Sequence, residues 1–104
     1  MSDQSPRPLS AALFGNEKFA EVVVALGGQR GAATAQQLSK LTRIDHSMVR
    51  NVLLRAVAAK IVDHLPRTGG SRSEQYYQPS PGDLWEATFV LARIVVGDIV
   101  RVTT

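Results

Sequence analysis

The sequence predicts a mainly α-helical domain with a two-stranded β-hairpin, and three observations lead to that prediction. Apolar residues recur at the spacing of amphipathic helices over most of the chain. Two of the helices predicted in this way are separated by only two residues, so they must cross at a steep angle. A short β-branched segment, a Gly-Gly turn and a second extended segment follow them.

Length and composition limit the class of protein. The 104 residues suffice for one domain, which we place at residues 9–104 behind a flexible tail at residues 1–8. The chain contains no cysteine, which excludes disulfides, thiol catalysis and thiolate metal sites. Residues 1–8 lack the apolar run that a signal peptide requires, and no apolar run is long enough to span a bilayer, so we expect a cytoplasmic protein.

The first part of the chain predicts two helices. Residues 9–14 suit a short helix that Ser10 opens. Asn16 is a suitable N-cap for the second helix, which ends at the Gly27-Gly28 pair. The predicted buried face of this second helix consists of Phe19, Val22, Val23 and Leu26.

Two further helices follow closely. Thr34 and Gln37 have the spacing of a capping box, and the helix that they begin runs to about Thr42. Its inward-facing residues are Leu38 and Leu41. The next helix spans residues 45–60, with Asp45 as its N-cap. The apolar stripe of this helix consists of Val49, Val52, Leu53, Ala56 and Val57.

The hairpin and a last helix complete the predicted domain. Residues 61–66 and 75–78 suit the two strands of the hairpin. The start of the last helix is predicted from Ser80 as N-cap, Pro81 at the first helical position and Asp83 as the residue that closes a capping box.

Positive charge is concentrated in the middle of the chain. Between Arg30 and Ser73, eight basic residues stand against two acidic ones, whereas the rest of the chain is net acidic. A basic centre is the electrostatic footprint expected of a protein that binds a polyanion. A solvated basic surface without a partner has the same composition.

The segment 34–79 resembles a winged helix-turn-helix. The residues that carry the resemblance are Thr34, Gln37, Leu38, Leu41, Thr42 and Ile44, then Asp45-His-Ser-Met-Val49 and Leu53, then Ala58-Ala-Lys-Ile-Val62. Bacterial regulators of this kind often have glycine at the positions of Arg43 and Lys60, where the backbone is frequently left-handed. With the helices before and after this segment, the whole chain resembles a small ArsR- or MarR-like transcriptional regulator.

The resemblance implies a recognition helix at residues 45–60 in the major groove of double-stranded DNA, and a wing at residues 66–76 on the DNA backbone or in the minor groove. Arginine can bridge guanine O6 and N7, and asparagine can bridge adenine N6 and N7, so Arg50 and Asn51 are the predicted base contacts. The other predicted DNA contacts are Thr34, Gln36, Lys40, Arg43, His46, Ser47 and Met48, together with Arg67, Thr68, Ser71 and Arg72 on the wing. Alternatively, Arg50 and Asn51 are ordinary surface residues and the hairpin is a connector.

The last helix is apolar over more than one face, which is typical of a helix that packs on two sides or against a partner. We predict that the terminal helices form a homodimer. The predicted interface consists of Leu9, Leu13, Phe14, Leu84, Trp85, Thr88, Phe89, Leu91, Ala92, Val95 and Val96. Alternatively, the last helix closes the core of the monomer.

The sequence therefore predicts a sequence-specific DNA-binding regulator associated with the nucleoid, most simply a repressor, that binds a near-palindromic site as a homodimer. One alternative is a DNA-partition adaptor that binds repeated sites. Another is a winged-helix protein-interaction module, which exposure of Val52 or Leu54 would favour. We expect no enzymatic activity, because the sequence has no recognisable nucleophile–base pair, carboxylate dyad or phosphate-binding glycine loop. We also expect no cofactor and no metal, since His46 and His64 are too few for a structural zinc site. Nothing marks a small-molecule effector.

Overall fold

The computed structural model describes residues 6–65 and 75–97. Its elements in chain order are α1 (Arg7–Phe14), α2 (Phe19–Gly27), β1 (Ala33–Thr34), α3 (Ala35–Thr42), α4 (His46–Ala58), β2 (Val62–Leu65), β3 (Tyr76–Pro79) and α5 (Asp83–Val95). The predicted wing contacts Arg67, Thr68, Ser71 and Arg72 lie outside the described residues, as do the first five residues of the predicted tail.

The sheet has three strands rather than the predicted two. Its order is β1-β3-β2, and both pairings are antiparallel. The hairpin places His64 of β2 opposite Tyr77 of β3, and Tyr77 also pairs with Ala33 of β1. Sequence reasoning missed β1 because two residues are too few to form an alternating pattern. The added strand ties the start of α3 to the base of the hairpin.

The amino-terminal helix begins within the predicted tail. It starts at Arg7 with Pro6 as N-cap, because proline is tolerated in a first turn that needs no amide donors. The Arg7 guanidinium donates to Glu21 of α2 at 2.9 Å, and this hydrogen bond and the charge of Glu21 raise the pKa of Arg7. The ion pair thus fixes the start of α1 against α2.

Ser10 does not open α1, as had been predicted, but lies buried inside it. Its hydroxyl donates to the carbonyl oxygen of Asn16 at 2.7 Å and accepts from the amide of Ala20 at 3.1 Å. Asn16 is likewise not the N-cap of α2, which is Lys18. The Asn16 side chain instead accepts from the Lys18 amide at 2.8 Å and so forms the turn before that helix.

The predicted start of α5 is wrong by two residues. The helix begins at Asp83 with Gly82 as N-cap, and no side chain caps it. The Ser80 hydroxyl, the predicted cap, donates to Asp63 of β2 at 2.5 Å, and the Ser80 amide donates to the carbonyl oxygen of Ile61. Ser80 is therefore used to extend the pairing of the hairpin, which sequence spacing alone does not reveal.

One predicted cap is confirmed, and two left-handed turns are formed by residues other than glycine. Thr34 and Gln37 form both hydrogen bonds of the capping box at the start of α3. Arg43 and Lys60, which occupy positions where glycine is frequent, have φ angles of 63° and 68°. Left-handed backbone costs a residue with a side chain roughly 1–2 kcal/mol, so both turns are formed despite local strain.

The core lies where α2 meets α3, α4 and α5. On α5, Trp85, Ala92 and Val95 are buried in this monomeric core, with Ala92 fully inaccessible, and Phe89 packs on it. These side chains belong to the core rather than to an exposed dimer interface, as the alternative prediction for this helix held. Among the described residues, no helix has both the length and the apolar character needed to cross a membrane.

Candidate nucleic-acid interface

The turn between α3 and α4 is fixed by a set of side-chain hydrogen bonds. The Ser39 hydroxyl donates to the carbonyl oxygen of Ile44 at 2.6 Å. The Thr42 hydroxyl donates to the carbonyl oxygen of Leu38 at 2.7 Å and accepts from the Ile44 amide at 3.2 Å. Ile44 itself is buried. The orientation of α4 relative to α3 is therefore set by the turn as well as by the core.

The helix α4 has one buried face and one exposed face. The buried residues are Val49, Val52, Leu53 and Ala56. The exposed residues include all five predicted DNA contacts of this helix, namely His46, Ser47, Met48, Arg50 and Asn51. None of these five side chains is required by the core, so the whole exposed face is available to a partner.

Arg50 and His46 lie beside the start of α3. An open cleft of about 170 Å³ is lined there by Thr34, Ala35, Gln36, His46, Arg50, Gln75 and Tyr77. The first amides of a helix lack intrahelical acceptors and favour anions, and Arg50 adds a guanidinium to them. This combination of donors fits a phosphate oxygen.

Thr34 contributes to this cleft in a different way from that predicted. Its side chain is only 3% exposed, and its hydroxyl accepts from the Gln37 amide at 3.1 Å. The hydroxyl is thus occupied by the helix cap, and Thr34 positions the neighbouring amides instead of presenting its own side chain. Gln36 remains exposed on the first turn.

Asn51 and Met48 lie on the other side of α4 from this cleft. They line a second, smaller depression with Asn16, Glu17 and Lys18 from the turn between α1 and α2. The two predicted base contacts, Arg50 and Asn51, therefore point toward different borders of the exposed face. A partner that reaches both must cover the width of α4.

Several cations on this surface are exposed and without an acidic partner in the described part of the chain. Lys40 is on α3, Arg43 is in the turn and Arg50 is on α4, and none of them forms an ion pair with a described carboxylate. Unpaired guanidinium and ammonium groups remain available for phosphates. The positive charges of these three side chains are therefore not neutralised by described carboxylates.

Asp45 is the acidic residue within this surface, and its role is local. As N-cap of α4 it accepts from the Ser47 amide at 3.1 Å and from the Ser47 hydroxyl at 2.6 Å. These hydrogen bonds, the one from the hydroxyl first, lower the pKa of Asp45. The Ser47 hydroxyl is consequently engaged as a donor and offers a partner only its acceptor lone pairs.

The structure adds residues that sequence reasoning did not assign to this surface. Gln75 and Tyr77 border the cleft because β3 returns beside the start of α3, and only knowledge of the third strand could have indicated this. Leu41, predicted to face inward, is 58% exposed. Leu54 is 45% exposed on α4, whereas Val52 is buried.

The predicted dimer residues divide into two groups. Leu9 and Leu13 of α1 and Leu84 and Leu91 of α5 are exposed, and so are Val90 and Ile94, which the prediction had omitted. Phe14, Phe89 and Val96 are partly buried against the core, and the Thr88 hydroxyl donates to the carbonyl oxygen of Leu84 in its own helix.

Within residues 6–65 and 75–97, no three His, Asp or Glu side chains form a group that could hold a metal ion.

Comparison with known proteins identifies the fold. No family model and no curated protein sequence matches the chain. The crystal structure of apo wild-type MarR from E. coli matches with a TM-score of 0.67 and 18% identity over 91% of this chain and 67% of that one. A cysteine-to-serine mutant of MarR gives 0.66 and 17% over 88% and 65%, and the same mutant complexed with operator DNA gives 0.64 and 18% over 92% and 66%. The chain thus spans about two thirds of the length of these MarR chains. The predicted winged helix-turn-helix is confirmed, in the form that MarR has.

Proposed function

We propose that this protein is a sequence-specific regulator of transcription that binds double-stranded DNA. The observation that carries the proposal is the arrangement of Arg50 and His46 on the exposed face of α4 beside the first turn of α3. A similar fold in complex with operator DNA, that of the MarR mutant, supports the assignment.

The dimensions of α4 suit the major groove. An α-helix with side chains is about 10–12 Å across and the groove is about 12 Å wide. With α4 in the groove, Arg50 bridges guanine O6 and N7 and Asn51 bridges adenine N6 and N7. The first turn of α3, Lys40 and Arg43 bind backbone phosphates, which fix the position of α4 without reading sequence. The wing binds backbone or the minor groove.

We further propose that the protein acts as a homodimer. Exposed apolar residues at Leu84, Leu91 and Ile94 recur along one side of α5, away from the buried face at Trp85 and Ala92. A helix with apolar residues on two sides needs a second partner. Two-fold symmetry then places the two copies of α4 about 34 Å apart, one turn of DNA, on a near-palindromic site. Occupation of such a site at a promoter represses transcription by excluding polymerase.

The oligomeric state has a direct test with a matched control. Leu91→Arg introduces a charge into the exposed apolar side of α5, whereas Leu41→Arg introduces it at an exposed leucine of α3. We expect wild type and Leu41→Arg to sediment as dimers, and Leu91→Arg to sediment as a folded monomer. A wild-type monomer at micromolar concentration contradicts the dimer.

DNA binding is tested by the dependence of affinity on salt. Each phosphate contact contributes about 0.9 to the slope of log K against log salt concentration. Arg50→Ala should weaken binding about five- to 150-fold, since a good bidentate contact contributes about 1–3 kcal/mol. Lys60→Gln removes the same charge beyond the far end of α4 and should change the affinity less than twofold. Absence of binding at low salt, or equal effects of the two substitutions, contradicts the proposal.

A protein-interaction module is the second candidate, and the exposure of Leu41 and Leu54 favours it. Apolar side chains gain little from phosphates, so a protein partner would use them. Arg50→Ala combined with Arg72→Ala separates the two functions, because the double substitution should abolish DNA retention while leaving a protein partner bound.

A further inference from the structure

We propose that Leu54 is a specificity-determining residue that contacts the methyl group of a thymine next to the adenine read by Asn51. The proposal rests on the proposed function and adds a part of the DNA sequence that it reads. It assigns a role to a side chain that the predicted set of DNA contacts does not include.

The position of Leu54 on α4 carries the first part of the argument. Ser47, Asn51 and Leu54 are all exposed and lie at i, i+4 and i+7, so they form one row along the helix. The buried residues Val49 and Ala56 lie on the opposite side. In homeodomains, one variant of the helix-turn-helix, the residues of the recognition helix that read the major groove have this i, i+3, i+4 and i+7 spacing.

The chemistry of the major groove carries the second part. Among the groups that base pairs present there, the C5 methyl of thymine is the apolar one. The 45% exposed side chain of Leu54 would lose free energy against a phosphate or a polar base edge, but it gains from contact with a methyl group. From Asn51 to Leu54 the helix rises about 4.5 Å, which is close to one base-pair step of about 3.4 Å. The two side chains therefore reach the same or adjacent base pairs.

The surroundings of Leu54 favour a small apolar target over a broad one. On the exposed face Leu54 is bordered by the polar side chains of Arg50, Asn51 and Arg55 and, one turn later, by the small side chain of Ala58. The exposed apolar residues of α5, by contrast, follow one another along the helix. On its own, a leucine with one alanine beside it is too small an apolar surface for a typical protein interface, whereas it suffices to cover one methyl group.

The experiment first selects, from random duplex DNA, the sites that the full-length wild-type protein prefers. Each thymine of the selected half-site is then replaced by uracil, which removes only the methyl group. We expect this replacement to weaken wild-type binding about three- to fivefold at one thymine, which is the effect expected for one buried methyl group. That thymine should lie in the base pair whose adenine Asn51 contacts, or in the adjacent base pair. If no sequence is enriched and no duplex binds at low salt, the proposed function fails and this proposal with it.

Variants assign the effect to Leu54. Leu54→Ala should bind thymine and uracil duplexes equally, while Leu54→Met, which keeps an apolar side chain of similar volume, should retain a preference for thymine. Leu41→Ala shortens an equally exposed leucine on α3 and should preserve the full wild-type preference. Because Leu54 is exposed, Leu54→Ala should fold, and the uracil series on the wild-type protein requires no variant. Two results would overturn the role of Leu54 while leaving the proposed function intact: specific binding in which no thymine methyl group matters, or an undiminished preference for thymine in Leu54→Ala. Leu54 would then be available for contact with a protein partner.

Discussion

Gly27 provides a stringent test of how α2 and α5 pack. It is the last residue of α2, and a Cβ atom built on it would lie 2.2 Å from Cε1 of Phe89, with two further ring atoms at 2.7 and 2.8 Å. Favourable contacts between carbon atoms occur at about 3.5–4.0 Å. In Gly27→Ala the Phe89 ring must therefore move by about 1.3 Å or the helices must separate.

The Phe89 ring is not free to make that movement. It stacks on Trp85 with ring centroids 5.3 Å apart, and the Arg93 guanidinium lies 5.6 Å from its centroid. Overpacking of this kind costs about 1–3 kcal/mol. The better helix propensity of alanine returns up to about 1 kcal/mol. We expect Gly27→Ala to lower the free energy of unfolding by about 1–2 kcal/mol, or Tm by about 4–16 °C.

The measurement is urea or thermal unfolding followed by circular dichroism at one protein concentration, because dimerisation would make stability depend on concentration. Gly28→Ala is the matched control: its nearest neighbours would be backbone oxygens at 3.5 and 3.6 Å, and its φ is −83°. This control should lower the free energy of unfolding by no more than about 0.5 kcal/mol. In a Phe89→Ala background, Gly27→Ala should become neutral or stabilising. A Gly27→Ala protein as stable as wild type would refute the close approach of α2 and α5.

Three other substitutions test the account. Lys60→Gly removes the strain of a left-handed backbone, about 1–2 kcal/mol, but the greater entropy of glycine in the unfolded state costs about 0.4–1 kcal/mol. The free energy of unfolding should therefore rise by about 0.5–1 kcal/mol in equilibrium unfolding, and a decrease would contradict the strain. Ser10→Ala removes the Ser10 acceptor from the buried Ala20 amide and one of the two donors to the Asn16 carbonyl oxygen, and it should cost about 1–3 kcal/mol. Thr88→Ala should cost about 0.5 kcal/mol or less, and equal losses would contradict the buried role of Ser10. Asp45 has a lowered pKa in the folded state, so its cap stabilises α4 above its ordinary pKa and is lost as pH falls through the folded one. The stability of wild type relative to Asp45→Asn should therefore fall below about pH 4, and a difference that is the same at pH 7 and pH 3 would refute this role.

Much of the fold could be predicted because local chemistry determines it. The capping box at Thr34 and Gln37 involves residues three apart, so sequence spacing reveals it directly. The buried stripe of α4 follows from its period in the same way. The left-handed turn at Arg43 was not predicted for this chain, because the resemblance indicated only that such regulators often have glycine at that position.

The errors arose where a long-range partner replaced a local one. Ser80 has the spacing of an N-cap, but its hydroxyl reaches Asp63 on another element. Ser10 similarly bonds across the turn to α2 instead of capping α1. The two faces of α5 could not be separated from the pattern alone, because both are apolar and only the position of α2 decides which is buried.

The exposure of the candidate residues on α4 could be predicted, whereas part of the lining of the cleft beside them could not. Arg50 and Asn51 are exposed on α4 as expected, because the buried stripe determines which residues point outward. Gln75 could not be assigned to the cleft, since its position depends on the pairing of β3 with β1. Leu41 was misassigned because α3 is only eight residues long, too short for the period to fix both edges of its buried face.

The central claim, that the exposed face formed by α3 and α4 is the surface that binds DNA, is tested most directly by nuclear magnetic resonance. Backbone amide shifts of the labelled protein would be followed during titration with a short duplex at low salt, where even non-specific binding uses the same basic surface. The account predicts changes at residues 34–37 and 46–54, with the amides of α5 unaffected. Changes concentrated on α5, or a spectrum that duplex DNA leaves unaltered, would contradict it.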